Sequence, residues 1–319
     1  MFKKCLKYDL RAFYKIWLLA AAIVLVLGLV CGLIGGGCLF SFIIEIEKTD
    51  TNPDYVPEFT FFIQLFLGFI CSIVMSISTL VLTLGTSVGN YIRYYTHLFS
   101  DQGYLTFTLP VKRSTLFWSK ATSAYIYSVA AAAVVAVTGV FGIICAIASV
   151  FMAFIYIEGV PLWDILSQLT LANLVELWNV FWSWVGAEIG LMWIFRIILI
   201  LFLLLVLYLS AQFASLMTGY FCITIGATMF RKLKLLSALV TYYVVNNVLS
   251  IPAAYIGSYY FTFAGMFGAI AIPELFANLH VGMSVVYLLL AIASLAFITI
   301  GLAMAFFSIW RLDKKLNLA

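Results

Sequence analysis

The side chains that most often carry chemistry are few in this sequence, and they stand far apart. The two histidines, His97 and His280, both fall in linkers between apolar runs, so a metal site is not predicted. The six cysteines share no C-x-x-C or Cys/His spacing and are interpreted as small apolar packing residues: Cys5, Cys31, Cys38, Cys71, Cys145 and Cys222. The sequence has no GxxxxGK[ST] phosphate loop and no plausible Ser/His/Asp set. We therefore expect that this chain is not an enzyme and binds no ATP or metal by itself.

Two groups of uncharged polar residues interrupt the apolar runs. Polar side chains recur at spacings of three and four from Ser72 to Asn90, which places them along one face of a helix. Asn246 and Asn247 form the second group and should face protein or a wet cavity, because an unpaired carboxamide is costly in hydrocarbon. Hydroxyls in a membrane helix also bond to their own backbone. A pathway wall, a subunit interface and a purely structural role therefore all remain open.

The elements that must position these groups are long apolar helices. Of the 319 residues, 65% are hydrophobic and 9% are charged, whereas about 25% of a soluble protein is charged. The apolar runs are continuous rather than alternating, which excludes a β-barrel and predicts an all-α polytopic membrane protein. We predict six transmembrane helices, at about 16–44, 59–90, 119–157, 190–230, 235–270 and 281–310. The first run is too long for a cleaved signal peptide and is interpreted as a retained span.

The charges sort the linkers into two sets. Fifteen of the 17 Lys and Arg residues fall at the two termini or in alternate linkers, and the exceptions are Lys48 and Arg196. Ten of the 13 acidic residues fall in the other linkers. Because Lys and Arg near span ends favour the cytoplasm, both termini are predicted to be cytoplasmic. The segment 158–189 then lies outside, and its tryptophans predict helices on or in the outer surface.

Two features of the first 44 residues predict how the first span is held. Within residues 2–17, four cations at helical spacing form one stripe and four apolar residues form another: Lys4, Lys7, Arg11 and Lys15, then Leu6, Leu10, Phe13 and Trp17. This pattern predicts an amphipathic helix along the inner leaflet, which either sets topology or acts as a lever. Gly28, Gly32 and Gly36 share a face and predict close helix packing, within one subunit or across a dimer. A flexible outer end is a third option, because Gly35 and Gly37 add two more glycines.

The longest cytoplasmic linker, 91–118, contains an apolar stretch that needs a surface to bury it. Tyr104, Leu105, Phe107 and Leu109 are too apolar for a free loop, and Pro110 is suited to the start of a helix. The residues alone leave two surfaces open, the membrane and a groove on a soluble partner.

The run DQGYLTFTLPVKRSTLFWSK resembles the loop between the second and third spans of permease subunits of bacterial type-two ABC exporters. The matching residues run from Gly103 to Val111 and include Arg113 and Lys120. Gln102 stands where that family frequently has an acid, and Lys112 stands where it frequently has a small hydroxyl residue. The basic, amphipathic N-terminal segment and the six-span layout are also similar.

This resemblance implies one permease domain over 1–319, with a coupling helix at about 101–113 that docks on a separate ATP-binding subunit. ATP and Mg would be bound by that subunit. The implied contact residues are Asp101, Gln102, Gly103, Tyr104, Leu109, Pro110, Val111, Lys112 and Arg113. The resemblance also implies a second permease subunit, with a pathway between the second and fifth spans. That arrangement agrees with the polar residues Ser76, Thr79, Thr83, Asn246 and Asn247.

The sequence therefore leads us to expect an exporter subunit of the bacterial cytoplasmic membrane. A pathway without fixed charge suits an amphipathic or hydrophobic cargo such as a peptide, drug or lipid. Membrane lipid is an expected partner, and nucleic acid is not. Two alternatives remain: a sensory or immunity module that binds a toxin or lipid at its outer face, and a secondary carrier or channel.

Overall fold

The computed structural model describes residues 2–51, 59–100, 111–157, 191–229, 236–248 and 279–315, together with the single residues 103, 175, 179 and 183. In these ranges the regular structure is helical: α1 is Phe2–Thr51, α2 is Phe59–Phe99, α3 is Arg113–Ile157, α4 is Leu191–Met229, α5 is 236–248 and α6 is Leu279–Lys315. No strand occurs in the described ranges, which confirms the all-helical prediction there.

Five of these helices, α1, α2, α3, α4 and α6, are long and apolar enough to cross a membrane. Their most apolar windows have a mean hydropathy between 2.4 and 2.8, yet at most 17% of any window is buried inside the protein. Large side chains such as Phe59, Phe195 and Phe306 are 74–79% exposed. Soluble proteins rarely expose this much apolar surface, so hydrocarbon is the fitting solvent. The chain is thus a multi-pass membrane protein. The fifth predicted span, which would make a sixth crossing, and the orientation remain predictions.

The amphipathic helix predicted over 1–15 is continuous with the first span. Residues 2–51 form one continuous helix, because neither proline nor glycine interrupts the sequence before Gly28. The two predicted stripes are nevertheless visible: the four cations are exposed and the four apolar residues are half-buried. The fifth predicted span is described only over 236–248, and the segment 158–189 lies almost entirely outside the described residues.

The start of α3 differs from the sequence pattern. Pro110 was the expected helix start, but Val111 and Lys112 are not helical and α3 begins at Arg113. The carbonyl of Lys112 accepts the backbone N–H groups of Thr115 at 2.9 Å and Leu116 at 3.3 Å. Lys112 therefore occupies the N-cap position, the place where a small hydroxyl residue is usual.

The helices group into two compact units. Unit 1 comprises Met1–Ala12, Ser87–Val129 and Arg196–Ala319, and unit 2 comprises Phe13–Thr86 and Ala130–Phe195. The core of unit 1 is aromatic: the rings of Tyr94 and Tyr220 stack with centroids 3.9 Å apart, and the ring of Phe117 meets both edge-on. These three side chains are almost completely buried. Aromatic pairs of this kind add about 0.5–1.5 kcal/mol beyond the area they bury.

Unit 2 is packed with small residues instead. A Cβ at Gly28 would lie 2.5 Å from the Thr138 side chain, and one at Gly32 would lie 3.0 Å from the ring of Phe141. At Gly36 a Cβ would lie 2.8 Å from the hydroxyl of Ser149. The glycine face predicted from the sequence thus packs α1 directly on α3 within the chain, which is what small residues allow in membranes.

Candidate functional site

A buried ion pair lies in unit 1, near the start of α1 and the start of α3. The Lys120 ammonium is 3.0 Å from one carboxylate oxygen of Asp9, and the Ser119 hydroxyl donates to the other oxygen at 2.8 Å. The side chains of Lys120 and Asp9 are 10% and 14% exposed. Removing one partner of a pair buried to this extent leaves an uncompensated charge and costs roughly 3–5 kcal/mol. We call Asp9, Arg93, Ser119, Lys120 and Tyr127 the clasp.

The other two members of the clasp bind the backbone of α1. The guanidinium of Arg93, on α2, donates to the carbonyl of Asp9. The hydroxyl of Tyr127, on α3, donates to the carbonyl of Leu10. A carbonyl oxygen has two lone pairs, so both bonds are compatible with an intact helix. The clasp therefore fixes one turn of α1 to two other helices through both its side chain and its backbone.

A second layer of buried polar contacts continues from the clasp into α4. The hydroxyls of Tyr94 and Thr224 are hydrogen-bonded at 2.8 Å, and Asn90 donates to the carbonyl of Ala124 at 3.2 Å. Asn90 is only 2% exposed, and its Oδ1 has no hydrogen-bond partner among the described residues. Beside it is a cavity of about 10 Å³ that Asp9 and Arg93 also line, and this is about the size of one water molecule.

The loop between α2 and α3 is held at both of its described ends. Gly103 donates to the carbonyl of Ser100 at 2.8 Å, and a Cβ on it would lie 2.6 Å from the carbonyl oxygen of Leu98. Only glycine fits this approach without a backbone shift. At the other end, Arg113 donates to the carbonyls of Leu312 and Asp313 at 2.6 and 3.2 Å. A cation is favourable there because the last turn of α6 carries partial negative charge.

Four of the nine predicted contacts with an ATP-binding subunit lie among the described residues. Gly103 and Arg113 make the internal contacts given above, Val111 is half-buried, and the Lys112 side chain is exposed. The five others lie outside that part of the chain: Asp101, Gln102, Tyr104, Leu109 and Pro110. Lys112 is therefore the described side chain best placed to meet a partner.

The predicted pathway residues fall in two different units. In unit 2 the hydroxyls of Ser76, Thr79 and Thr83 each donate to carbonyls of α2 itself, at 2.8–3.1 Å. In unit 1 Asn246 and Asn247 are exposed, and Asn247 donates to the carbonyl of Tyr243 at 2.7 Å. A stripe of back-bonded hydroxyls leaves the helix surface neutral and weakly polar. The pathway assignment stays a prediction.

One residue of the clasp, Asp9, could have been singled out from the sequence. Asp9 is the only acid among the first 15 residues, and it lies at helical spacing with the half-buried Leu6 and Phe13. Lys120 stands at the edge of a predicted span, where a cation is usual without a partner, so it offered no separate signal. Arg93 offered no comparable signal, because its partner is a backbone carbonyl.

The charged groups of the clasp bind one another and the backbone of α1. No group of three or more His, Cys, Asp or Glu residues that would hold a metal ion occurs in the described ranges. Charge-assisted and buried hydrogen bonds of the clasp join α1, α2 and α3, and the bond between Tyr94 and Thr224 adds α4. Comparison with known proteins gave no matching family model, no matching curated protein and no matching solved structure.

Proposed function

We propose that this chain is the membrane-spanning subunit of an ATP-driven exporter in a bacterial cytoplasmic membrane. A separate ATP-binding subunit, which binds ATP and Mg, supplies the energy, and a second permease subunit completes the pathway. The cargo is an amphipathic or hydrophobic molecule, such as a peptide, a drug or a lipid. Both termini and the loop between α2 and α3 lie on the cytoplasmic side.

The observation that carries the proposal is the clasp beside the loop. Displacement of a short loop moves the neighbouring helices only if the ends of the loop are firmly bound to those helices. Here Gly103 packs on the last turn of α2, Arg113 binds the last turn of α6, and Lys120 binds α1. A partner that presses on this loop therefore acts on three helices together.

The proposed cycle follows from these attachments. Closure of the ATP-binding subunit on ATP pushes the loop and, through Asp9 and Lys120, shifts α1. The shift opens the pathway between the second and fifth spans, where Thr83 and Asn247 are among the predicted wall residues. Hydrolysis returns the loop to its starting position. ATP binding by the partner thus stabilises the open state of the membrane subunit relative to its closed state.

Lys112 allows a test that separates partner contact from folding. Its side chain is exposed, and a carboxylate at an N-cap is favourable for α3, so Lys112→Glu should leave the melting temperature unchanged. Lys4→Glu is the matched control, because Lys4 is also exposed and basic. Each variant is purified with a tag from the native membrane, and bound proteins and ATP hydrolysis are measured.

We expect an ATP-binding protein with the wild type and with Lys4→Glu, and much less of it with Lys112→Glu. ATP hydrolysis by the purified material should fall in parallel. If no nucleotide-hydrolysing protein is recovered from any of the three, the exporter assignment fails. A liposome flux that follows an ion gradient without nucleotide would indicate a secondary carrier instead.

A further inference from the structure

A cleft of about 670 Å³ lies within unit 2, where α1, α2 and α3 meet. Its lining comes from α1 between Cys31 and Phe42, from α2 between Leu65 and Ser76, and from two residues of α3. Pockets that hold drug-sized ligands have volumes of roughly 300–1,000 Å³. The cleft is open to the exterior of the helices, and none of its walls belongs to unit 1.

Glycines create the space. Five of the lining residues are glycines: Gly32, Gly35, Gly36, Gly68 and Gly142. Gly32 and Gly36 bring α1 close to α3, whereas a Cβ at Gly35 or Gly142 would meet no other atom within 4 Å. At Gly35 and Gly142 the hollow is therefore left by a missing side chain, and a larger residue would fit there.

The lining favours hydrocarbon over water or a polar ligand. No charged residue contributes to it. The hydroxyls of Ser72 and Ser76 donate to the carbonyls of Phe69 and Ser72 at 2.7 and 2.8 Å, so their protons are already bound. Water enters cavities that offer it several polar partners, and an apolar space of this kind stays dry. An occupant must then be neutral and apolar.

The length and position of the cleft match one leaflet of a bilayer. From Cys31 to Phe42, α1 rises about 16 Å at 1.5 Å per residue, close to half of a ~30 Å hydrocarbon core. Phe42 is followed by Glu45 and Lys48, which form an ion pair at 3.4 Å and mark the end of the apolar run. The cleft therefore extends from mid-membrane to the interface opposite the N-terminus.

We propose that this cleft binds one acyl chain of a membrane lipid from the leaflet on the side of Glu45 and Lys48. The cleft opens to the exterior of the helices, where the surrounding medium is hydrocarbon, and its apolar lining has the length of one leaflet. An extended hydrocarbon chain from that leaflet meets these conditions, whereas a helix from a second copy would shield the cleft and leave its adducts no higher than those around Phe306. The site requires no ATP-binding partner and is independent of the proposed exporter function.

The test uses the full chain in phosphatidylcholine nanodiscs that contain a trace of phosphatidylcholine with a photoreactive diazirine on one acyl chain. After illumination, adducts are mapped by mass spectrometry. The wild type should carry more adducts on residues 31–42 and 65–76 than on the exposed face of α6 around Phe306. Gly142→Leu fills the hollow and should lower the cleft adducts about tenfold. The loss is limited because the displaced chain regains apolar contacts in the bilayer.

Gly139→Leu is the matched control. Gly139 lies one turn from Gly142 on the same helix, and it also has open space at its Cβ position, but it does not line the cleft. Its adduct pattern should equal that of the wild type. On α1, Gly35→Leu fills the cleft and Gly37→Leu is its control, because Gly37 also has open space but does not line the cleft. The proposal can therefore still be tested if one variant misfolds. Equal adduct yields in the filled and control variants, or a wild-type yield no higher than around Phe306, would overturn the proposal.

Discussion

The clasp in unit 1 and the glycine-lined face in unit 2 are held by different physical interactions. The clasp joins helices through directional bonds between buried charged and polar groups, such as Asp9 with Lys120. The glycine face joins helices through close backbone approach, as at Gly28 against Thr138. Directional bonds fix one geometry, since a shift of an ångström breaks them. Close packing at glycines depends on side-chain volume rather than on bond direction, so the two regions should respond to different kinds of substitution.

The largest expected effect comes from breaking the clasp on one side only. Asp9→Ala leaves Lys120 buried without its carboxylate, so it should lower the free energy of unfolding by about 3–5 kcal/mol. The double variant Asp9→Ala with Lys120→Met removes both charges and should recover much of that loss. Unfolding in a mild detergent with a denaturant series measures all three. Equal losses in the single and double variants would contradict a coupled pair.

The next effect tests the glycine face. Gly28→Ala places a Cβ 2.5 Å from Thr138, so overpacking should cost about 1–3 kcal/mol. Gly139→Ala has no neighbour within 4 Å of its Cβ and should stabilise the helix by up to about 1 kcal/mol. Melting temperatures of the two variants in the same detergent give the comparison. A similar shift in both would mean that α1 and α3 are not in close contact.

The sequence predicts the glycine face better than it predicts the clasp. The glycine face and the two stripes at the start of α1 are local periodicities, and they appear in the structure where they were expected. Five of the six predicted apolar runs are helices long enough to span a membrane, and the sixth crossing stays a prediction. The pairing of Asp9 with Lys120 joins residues 111 positions apart, so no local pattern specifies it. The amphipathic pattern of residues 1–15 does not specify that this helix continues unbroken into the first span, because that depends on the absence of proline and glycine before Gly28. Likewise, whether Thr83 bonds across helices or to its own carbonyls depends on neighbours that the sequence leaves open.

A smaller effect is expected from one hydrogen bond in the second layer. Tyr94→Phe removes the 2.8 Å bond to Thr224 but keeps the ring stacked on Tyr220. The Thr224 hydroxyl still donates to the carbonyl of Tyr220, so the cost should be about 0.5–1.5 kcal/mol. Tyr8→Phe, at an exposed position, should be neutral. A loss above that range would mean that the whole aromatic core depends on this contact.

The smallest stability effect is expected at the hydroxyl stripe of α2. Ser76 is exposed and its hydroxyl is bonded to its own helix, so Ser76→Ala should change the free energy of unfolding by less than about 0.5 kcal/mol. A change in cargo-stimulated ATP hydrolysis without a change in stability would favour the pathway role. Unchanged hydrolysis in both Ser76→Ala and Thr83→Val would leave these hydroxyls with a structural role alone.

The central claim is that a nucleotide-hydrolysing partner acts on the loop that ends at Lys112. The most direct measurement replaces Lys112 with p-benzoylphenylalanine and illuminates the chain in its native membrane, so that the molecule touching this position is captured covalently. The account predicts one major adduct, with a protein that carries a GxxxxGK[ST] phosphate loop, and its absence when the same residue replaces Lys48. Adducts with lipid alone at position 112 would contradict it.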